Sequence, residues 1–152
     1  MIPIAKDKLE LVHKHAIEEY PHECCGVMIG SPDSDEKDIL FKCTNIQNKL
    51  HEMDPKTYTR DARTAFNIEG RELFKIQREA ETRGLPYKLF YHSHPDHDAY
   101  FSEEDKRMAL LDGEPSYPGA NYLVVSVYDG TVKDQALFSW NPEKKVFEKQ
   151  NN

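Results

Sequence analysis

The stretch YKLFYHSHPDHDAYFSEEDKRM, residues 87–108, contains a predicted strand, a loop and a predicted helix. Residues 87–92 alternate in character and are rich in β-forming side chains, which predicts a strand. Pro95 cannot donate a hydrogen bond to a sheet, so the strand should end there. Ser102 is followed by three acidic residues, a pattern typical of a helix start. This order brings two rigid elements together at the end of a strand.

The polar residues of this stretch have the spacing of a metal site. His92 and His94 are two apart on the predicted strand, so both imidazoles can point to one side. If Ser102 is the N-cap of the helix, Asp105 lies in its first turn and can face the strand end. Two imidazoles and one carboxylate are typical of catalytic zinc, with the fourth position left for water. Zinc lowers the pKa of bound water from about 15.7 to about 7, which predicts a hydrolytic site.

A hydrolytic zinc site also needs a base beside the water. Several carboxylates are available, and Glu23 stands out because it lies just before the apolar segment CGVMIG, residues 25–30. Partial desolvation there would raise its pKa towards the range useful for a base. The hydroxyl of Ser102 has a possible second role, as a donor to the oxyanion that forms when hydroxide attacks a carbonyl.

The rest of the chain predicts an interleaved α/β arrangement. Helices are predicted over residues 6–20, 69–83 and 102–111, strands over 25–30, 39–44, 64–68, 87–92, 122–128, 136–140 and 146–147, and loops over 45–62 (with a short helix) and 112–120. Short hairpin loops imply antiparallel pairs, and the helix over 69–83 implies a crossover. The prediction is a mixed-sheet α/β sandwich. The length of 152 residues suits a single domain over 1–152.

Composition excludes several classes of partner. The chain has 20 basic and 27 acidic side chains, a net charge of −7, which argues against binding nucleic acid. No stretch approaches the roughly 20 apolar residues of a membrane span, and the N-terminus lacks the features of a secretory signal. Three cysteines without a spaced framework indicate a reducing compartment. We therefore predict a cytoplasmic protein with no membrane partner; the oligomeric state is left open.

The complete motif resembles that of a known family. HSHP at residues 92–95, six residues, Ser102, two residues and Asp105 match the H-x-H-P-x6-S-x2-D signature of the JAMM/MPN+ metalloproteases, also called the JAB family. The segment PHECCG, residues 21–26, looks like the glutamate motif of that family. The resemblance extends over about residues 6–140. It implies zinc ligands at His92, His94 and Asp105, an acid/base at Glu23 and an oxyanion contact at Ser102.

The resemblance also implies a fold and an activity. The fold is a cytidine-deaminase-like α/β sandwich, the JAB/MPN fold. Family members cleave peptide or isopeptide bonds after the C-terminal Gly-Gly tail of ubiquitin or ubiquitin-like proteins, and small stand-alone bacterial members act on sulfur-carrier proteins. Only residues 45–62 and 112–120 are available here as gripping loops. This favours a small prokaryotic substrate over ubiquitin itself.

Other interpretations of these residues remain open. Ser102 and Asp105 also fit a capping box, which merely starts a helix. His97 is expected to be an exposed loop residue, because a fourth protein ligand would close the catalytic position. Cys24 and Cys25 are expected to be small buried hydrophobes rather than nucleophiles. At the level of function, the alternatives are a non-catalytic MPN-type binding module for a β-grasp partner and a small-molecule amidase that uses the same zinc site.

Overall fold

The computed structural model describes residues 2–150, which form four helices and eight strands. The helices are α1 Lys6–Glu19, α2 Gln47–Met53, α3 Gly70–Arg83 and α4 Glu103–Ala109. The strands are β1 Cys25–Ile29, β2 Ile39–Cys43, β3 Tyr87–Pro95, β4 Leu110–Leu111, β5 Glu114–Pro115, β6 Asn121–Tyr128, β7 Thr131–Asn141 and β8 Val146–Lys149. No helix within residues 2–150 is long and apolar enough to cross a membrane.

Six of the strands form one mixed sheet in the order β2-β1-β3-β6-β7-β8. β3 and β6 are parallel, and the other neighbouring strands are antiparallel. α3 crosses from β2 to β3, as the sequence predicts, and α4 lies on the crossover between the parallel pair. The predicted mixed-sheet α/β architecture is therefore confirmed, and β3 lies in its interior.

The sheet separates two apolar layers because alternate residues of each strand face opposite sides. On one side, Ile76 of α3 packs in a cluster with Phe90 and Val124. On the other, Val12 of α1 packs in a cluster with Leu89 and further strand residues. Helices thus cover both faces of the sheet, and the strand that carries the histidine pair is buried on both sides.

A tight contact beside the histidine pair joins β1 to β3 and α1. A Cβ atom on Gly26 would lie 2.3 Å from ring atoms of Tyr91, so only glycine fits there. The hydroxyl of Tyr91 in turn lies 2.6 Å from Nδ1 of His15 in α1. The close approach of strand and ring is what allows this buried contact between helix and sheet.

We expect Gly26→Ala to lower the free energy of unfolding by about 1–3 kcal/mol, the usual cost of overpacking a core. Gly70→Ala is the matched control, because a Cβ atom there meets nothing within 4 Å. Urea denaturation of both variants measures the difference. Equal stability of the two variants would contradict the packing described for Tyr91.

The structure departs from the sequence prediction most at three stretches. In addition, β3 and β8 extend to Pro95 and Lys149, beyond the predicted ends at residues 92 and 147. Residues 64–68 are not a strand: only an isolated bridge pairs Asn45 with Ile68. The reason is that the side chain of Asn45 takes the backbone hydrogen bonds, donating to the carbonyl of Ala65 and accepting from the N–H of Asn67. The predicted helix over 102–111 ends at Ala109, because Leu110–Leu111 form β4. β4 pairs with β5, which lies in the predicted loop over 112–120.

The third difference is at the hairpin between β6 and β7. β7 begins at Thr131 rather than at residue 136, because it pairs with Tyr128 across a two-residue turn. Asp129 and Gly130 both have positive φ, the geometry that a tight hairpin requires. The first residues of β7 are mostly polar and exposed, so this part of the strand lacks the apolar alternation from which a strand is predicted.

Candidate metal centre

The histidine pair lies near the C-terminal end of β3, in the middle of the sheet. His92 pairs with Cys25 of β1 on one side and with Val124 of β6 on the other. Being two residues apart, both imidazoles face the same side, as the sequence predicts. The side chains are almost fully buried, with 2% of His92 and 1% of His94 exposed. Two neighbouring strands therefore hold them rigidly.

Asp105 completes a cluster of three donor atoms. Its Oδ2 lies 3.0 Å from Nε2 of His92 and 3.3 Å from Nε2 of His94. The two Nε2 atoms are 3.3 Å apart. A tetrahedral zinc ion with ligand bonds of about 2.0–2.1 Å holds its ligands roughly 3.3 Å apart. The spacing of these buried donors thus fits the ion that the sequence predicts.

The histidine rings are held by contacts away from the cluster. Nδ1 of His94 lies 2.8 Å from the carbonyl oxygen of Asp98. A proton on Nδ1 would be donated to that oxygen, leaving the lone pair of Nε2 directed at the cluster. The ring of His92 stacks on Phe66, with centroids 4.7 Å apart. These contacts orient the imidazoles before any ion binds.

The start of α4 combines the cap and the candidate ligand in the same residues. Asp105 N–H donates to Oγ of Ser102, and Ser102 N–H donates to Oδ2 of Asp105; each donor–acceptor distance is 3.0 Å. Burial acts to raise the pKa of Asp105, but His92, His94 and the N–H of Ser102 hold that pKa well below its usual range. The capping interpretation of the sequence is correct, and it coexists with a position for Asp105 in the cluster. Because Oγ of Ser102 acts as acceptor, its own proton stays available for donation.

Glu23 lies two residues before the start of β1, where the sequence places the candidate base. It is 2% exposed, and its Oε1 is buried with no hydrogen-bond partner in the described part of the chain. Burial raises the pKa of this carboxyl well above its usual range, and the neighbouring Asp105 acts in the same direction. The desolvation is more complete than the partial burial expected from sequence. A carboxyl of this kind is suited to taking up and returning a proton.

His97 is not the exposed loop residue that the sequence suggests. It is half-buried, and its ring stacks flat on His94 with centroids 4.0 Å apart. Burial, with the nearby His94, lowers its pKa to about 4. Donor atoms of Glu23, His94 and His97 lie within 4.8 Å of one another and form a second group. The measured distances of 3.0–3.3 Å in the His92–His94–Asp105 cluster match tetrahedral spacing, and we describe His97 by its stacking on the candidate ligand His94.

The three cysteines are buried and unsuited to act as nucleophiles. Cys24 packs in the α1-side layer and Cys25 in the α3-side layer, as expected for adjacent residues of an extended chain. Burial raises the pKa of Cys24, and that of Cys43, to about 12, and the pKa of Cys25 further. These thiols are protonated at neutral pH, which removes the nucleophilic form.

Comparison with known proteins agrees with this description. The sequence matches the profile of a family described as prokaryotic homologs of the JAB domain over residues 6–142. The CysO-cysteine peptidase of Mycobacterium tuberculosis (strain ATCC 25618 / H37Rv) is 26% identical over 129 residues, which cover 85% of this chain and 75% of that protein. The desampylase of Haloferax volcanii is 27% identical over 129 residues, covering 82% of this chain and 80% of that protein.

Solved structures share the fold. A solution structure of a protein from Desulfitobacterium hafniense aligns with a TM-score of 0.70 at 22% identity, covering 99% of this chain and 90% of that one. A second solution structure, of a protein from Salinibacter ruber, aligns with a TM-score of 0.62 at 24% identity, covering 99% and 89%. The overall fold is therefore shared with chains of low sequence identity.

Proposed function

The chain belongs to the family of prokaryotic homologs of the JAB domain, and on this premise we propose that it is a zinc-dependent peptidase. Its substrate would be the C-terminal Gly-Gly tail of a ubiquitin-like or sulfur-carrier protein, cut at the peptide or isopeptide bond that follows. The observation that carries the proposal is the convergence of three buried donor atoms with a carboxylate oxygen of Glu23 within 4.8 Å of His94. Oε1 of Glu23 is buried and has no hydrogen-bond partner among residues 2–150. The names of the curated relatives, a CysO-cysteine peptidase and a desampylase, support the reaction class.

The proposed metal site consists of His92, His94 and Asp105. A zinc ion bound there would supply Lewis acidity, which makes water more acidic and polarises the substrate carbonyl. The protein contributes a rigid, buried donor set, in which Ser102 N–H and the carbonyl of Asp98 fix two of the ligands. Because the donors already stand at the required spacing, binding should need little rearrangement.

The proposed acid/base is Glu23. It accepts a proton from the attacking water as the water oxygen bonds to the carbonyl carbon, and it returns a proton to the amine as the C–N bond breaks. Its burial favours the neutral carboxylic acid, so the proton is readily held between the two steps. The products are a carrier tail ending in a Gly-Gly carboxylate and a free amine.

Ser102 is the proposed oxyanion donor. Its Oγ already accepts the N–H of Asp105, which fixes the oxygen at the start of α4. The hydroxyl proton can then point at the oxygen that gains charge in the tetrahedral intermediate. Ser102 thus serves the helix and the reaction through different atoms of one hydroxyl.

Metal removal tests the proposal. We expect a chelator to abolish cleavage of a sulfur-carrier protein whose Gly-Gly tail is extended by one residue, and about one equivalent of zinc to restore it. Intact-mass spectrometry of the carrier follows the loss of the extra residue. Undiminished cleavage by protein shown to be metal-free would contradict the proposal. Full zinc binding without cleavage of any carrier tail would favour the non-catalytic binding module.

A further inference from the structure

An apolar pocket adjoins the candidate metal centre and has no role in the proposed chemistry. Its volume is about 190 Å³, and His92 and Asp105 form part of its wall. Much of the remaining wall is aromatic or aliphatic and comes from several helices, strands and loops; it includes Phe66, Leu73, Phe101, Met108 and Tyr117. A side chain in this pocket would therefore lie directly beside the reacting bond.

The wall selects against charge. Among residues 2–150, Asp105 is the one charged side chain that lines it, and that carboxylate is engaged by His92 and by the N–H of Ser102. The wall also holds the hydroxyl of Tyr122, which is buried without a hydrogen-bond partner among residues 2–150. A charged group entering the pocket would exchange its hydration shell for at most this one neutral hydroxyl, which does not offset the loss. An apolar cavity of about 150 Å³ is large enough to hold benzene, so the pocket has room for a leucine, methionine or phenylalanine side chain.

A polar cleft adjoins the pocket and offers a separate place for the carrier tail. The two share Asn67 and Met108 in their walls, and the cleft is further lined by Tyr58, by Arg60 and by the ion pair of Arg107 with Glu104. Donor groups of this kind suit an extended peptide backbone, which has no apolar surface to bury when its residues are glycines. The apolar pocket has nothing to receive from a Gly-Gly segment.

We propose that this pocket binds an apolar side chain of the residue that is released after Gly-Gly. The inference rests on the proposed function, because it takes glycines on the acyl side of the cut bond. The residue on the amine side is then the nearest one with a side chain. The released group would be a leucine-, methionine- or phenylalanine-like residue rather than a charged or very small one.

A panel of carriers tests the inference. A sulfur-carrier protein is extended after Gly-Gly by Leu, Phe, Gly, Asp or Lys, and kcat/KM is measured for each. Dissociation constants for the same panel are measured with the Glu23→Gln variant, which should bind without turnover. We expect Leu and Phe to exceed Gly by about 10- to 100-fold in both measurements, the effect of burying a side chain of that size, and Asp and Lys to be the poorest.

Substitutions in α3 locate the effect. Leu73→Trp places a larger ring in the pocket wall without altering a candidate ligand, and should remove most of the preference for Leu over Gly. The matched control is Phe74→Trp, at the next position of the helix, where the side chain is 59% exposed and outside the pocket. The control should keep the preference.

The outcomes separate the two proposals. Cleavage at equal rates across the panel, with equal dissociation constants, would overturn the pocket and leave the peptidase standing. A preference that survives Leu73→Trp would also overturn it. Discrimination in binding that Leu73→Trp removes, without cleavage of any carrier, would support the pocket and contradict the peptidase.

Discussion

Glu23→Gln is expected to reduce kcat for tail cleavage by about 10²–10⁴-fold, the range for loss of a general acid–base. The amide has nearly the same shape as the carboxyl but cannot take up and return the proton. Zinc content should stay at the wild-type level, because Glu23 lies outside the proposed ligand set. Steady-state cleavage of a one-residue-extended carrier and elemental analysis of the same sample are the measurements.

Glu143→Gln is the matched control, since Glu143 lies in the exposed turn between β7 and β8. It makes the same chemical change away from the cluster and should leave both kcat and zinc unchanged. If Glu23→Gln turned over as fast as this control, the acid/base would have to be another group.

Although Glu23→Gln should lower activity, we expect it to raise the stability of the metal-free protein. The pKa of Glu23 is raised in the folded state. At a pH where this carboxyl is ionised in the unfolded chain but still protonated in the folded one, it therefore lowers the free energy of unfolding. Metal-free wild type should therefore lose stability as pH rises above about 4.5, up to the raised pKa, while Glu23→Gln should not. The variant should melt higher at neutral pH, by about 2–4 °C for each kcal/mol of relief. Equal melting temperatures across this range would contradict the desolvation of Glu23.

The second large effect is a loss of zinc and of cleavage when a proposed zinc ligand is substituted. Asp105→Ala should reduce zinc content to near zero in protein purified without added metal, and abolish cleavage with it, because two imidazoles alone hold zinc weakly. The substitution also removes the carboxylate that accepts the N–H of Ser102, so the start of α4 loses part of its cap.

A second substitution separates the two roles of Asp105. Ser102→Ala removes the Oγ that accepts the N–H of Asp105 but retains all three donor atoms. We expect it to lower stability by about 1 kcal/mol and to keep zinc. Elemental analysis of zinc in Asp105→Ala, Ser102→Ala and wild type shows whether Asp105 binds the metal or only caps the helix. Equal zinc in Asp105→Ala and wild type would exclude Asp105 as a ligand.

The histidine–aspartate cluster could be predicted from sequence because its geometry is local. His92 and His94 are brought together by strand alternation, and Asp105 is placed by the cap at Ser102. The mixed sheet also followed from short-range signals, such as the turn at Asp129 that joins β6 and β7. The strand alternation, the helix cap and the turn each depend on residues only a few positions apart.

Features that depend on distant residues escaped the sequence analysis. The segment that contains Phe66 has the composition of a strand, but Asn45, about 20 residues earlier, captures its backbone groups. Burial of His97 results from the loop folding back over His94, which no local pattern reveals. The apolar pocket is assembled from several elements, with Leu73 on α3 and Met108 on α4.

The central claim is that this chain is a zinc peptidase acting after a Gly-Gly tail. The most direct measurement takes the zinc-reconstituted wild type and a sulfur-carrier protein extended by one leucine, and determines zinc per chain and the intact mass of the carrier. We predict about one zinc per chain and a carrier shortened by that single residue, with the cut directly after Gly-Gly. A fully zinc-loaded protein that leaves the tail at its original mass would contradict the account.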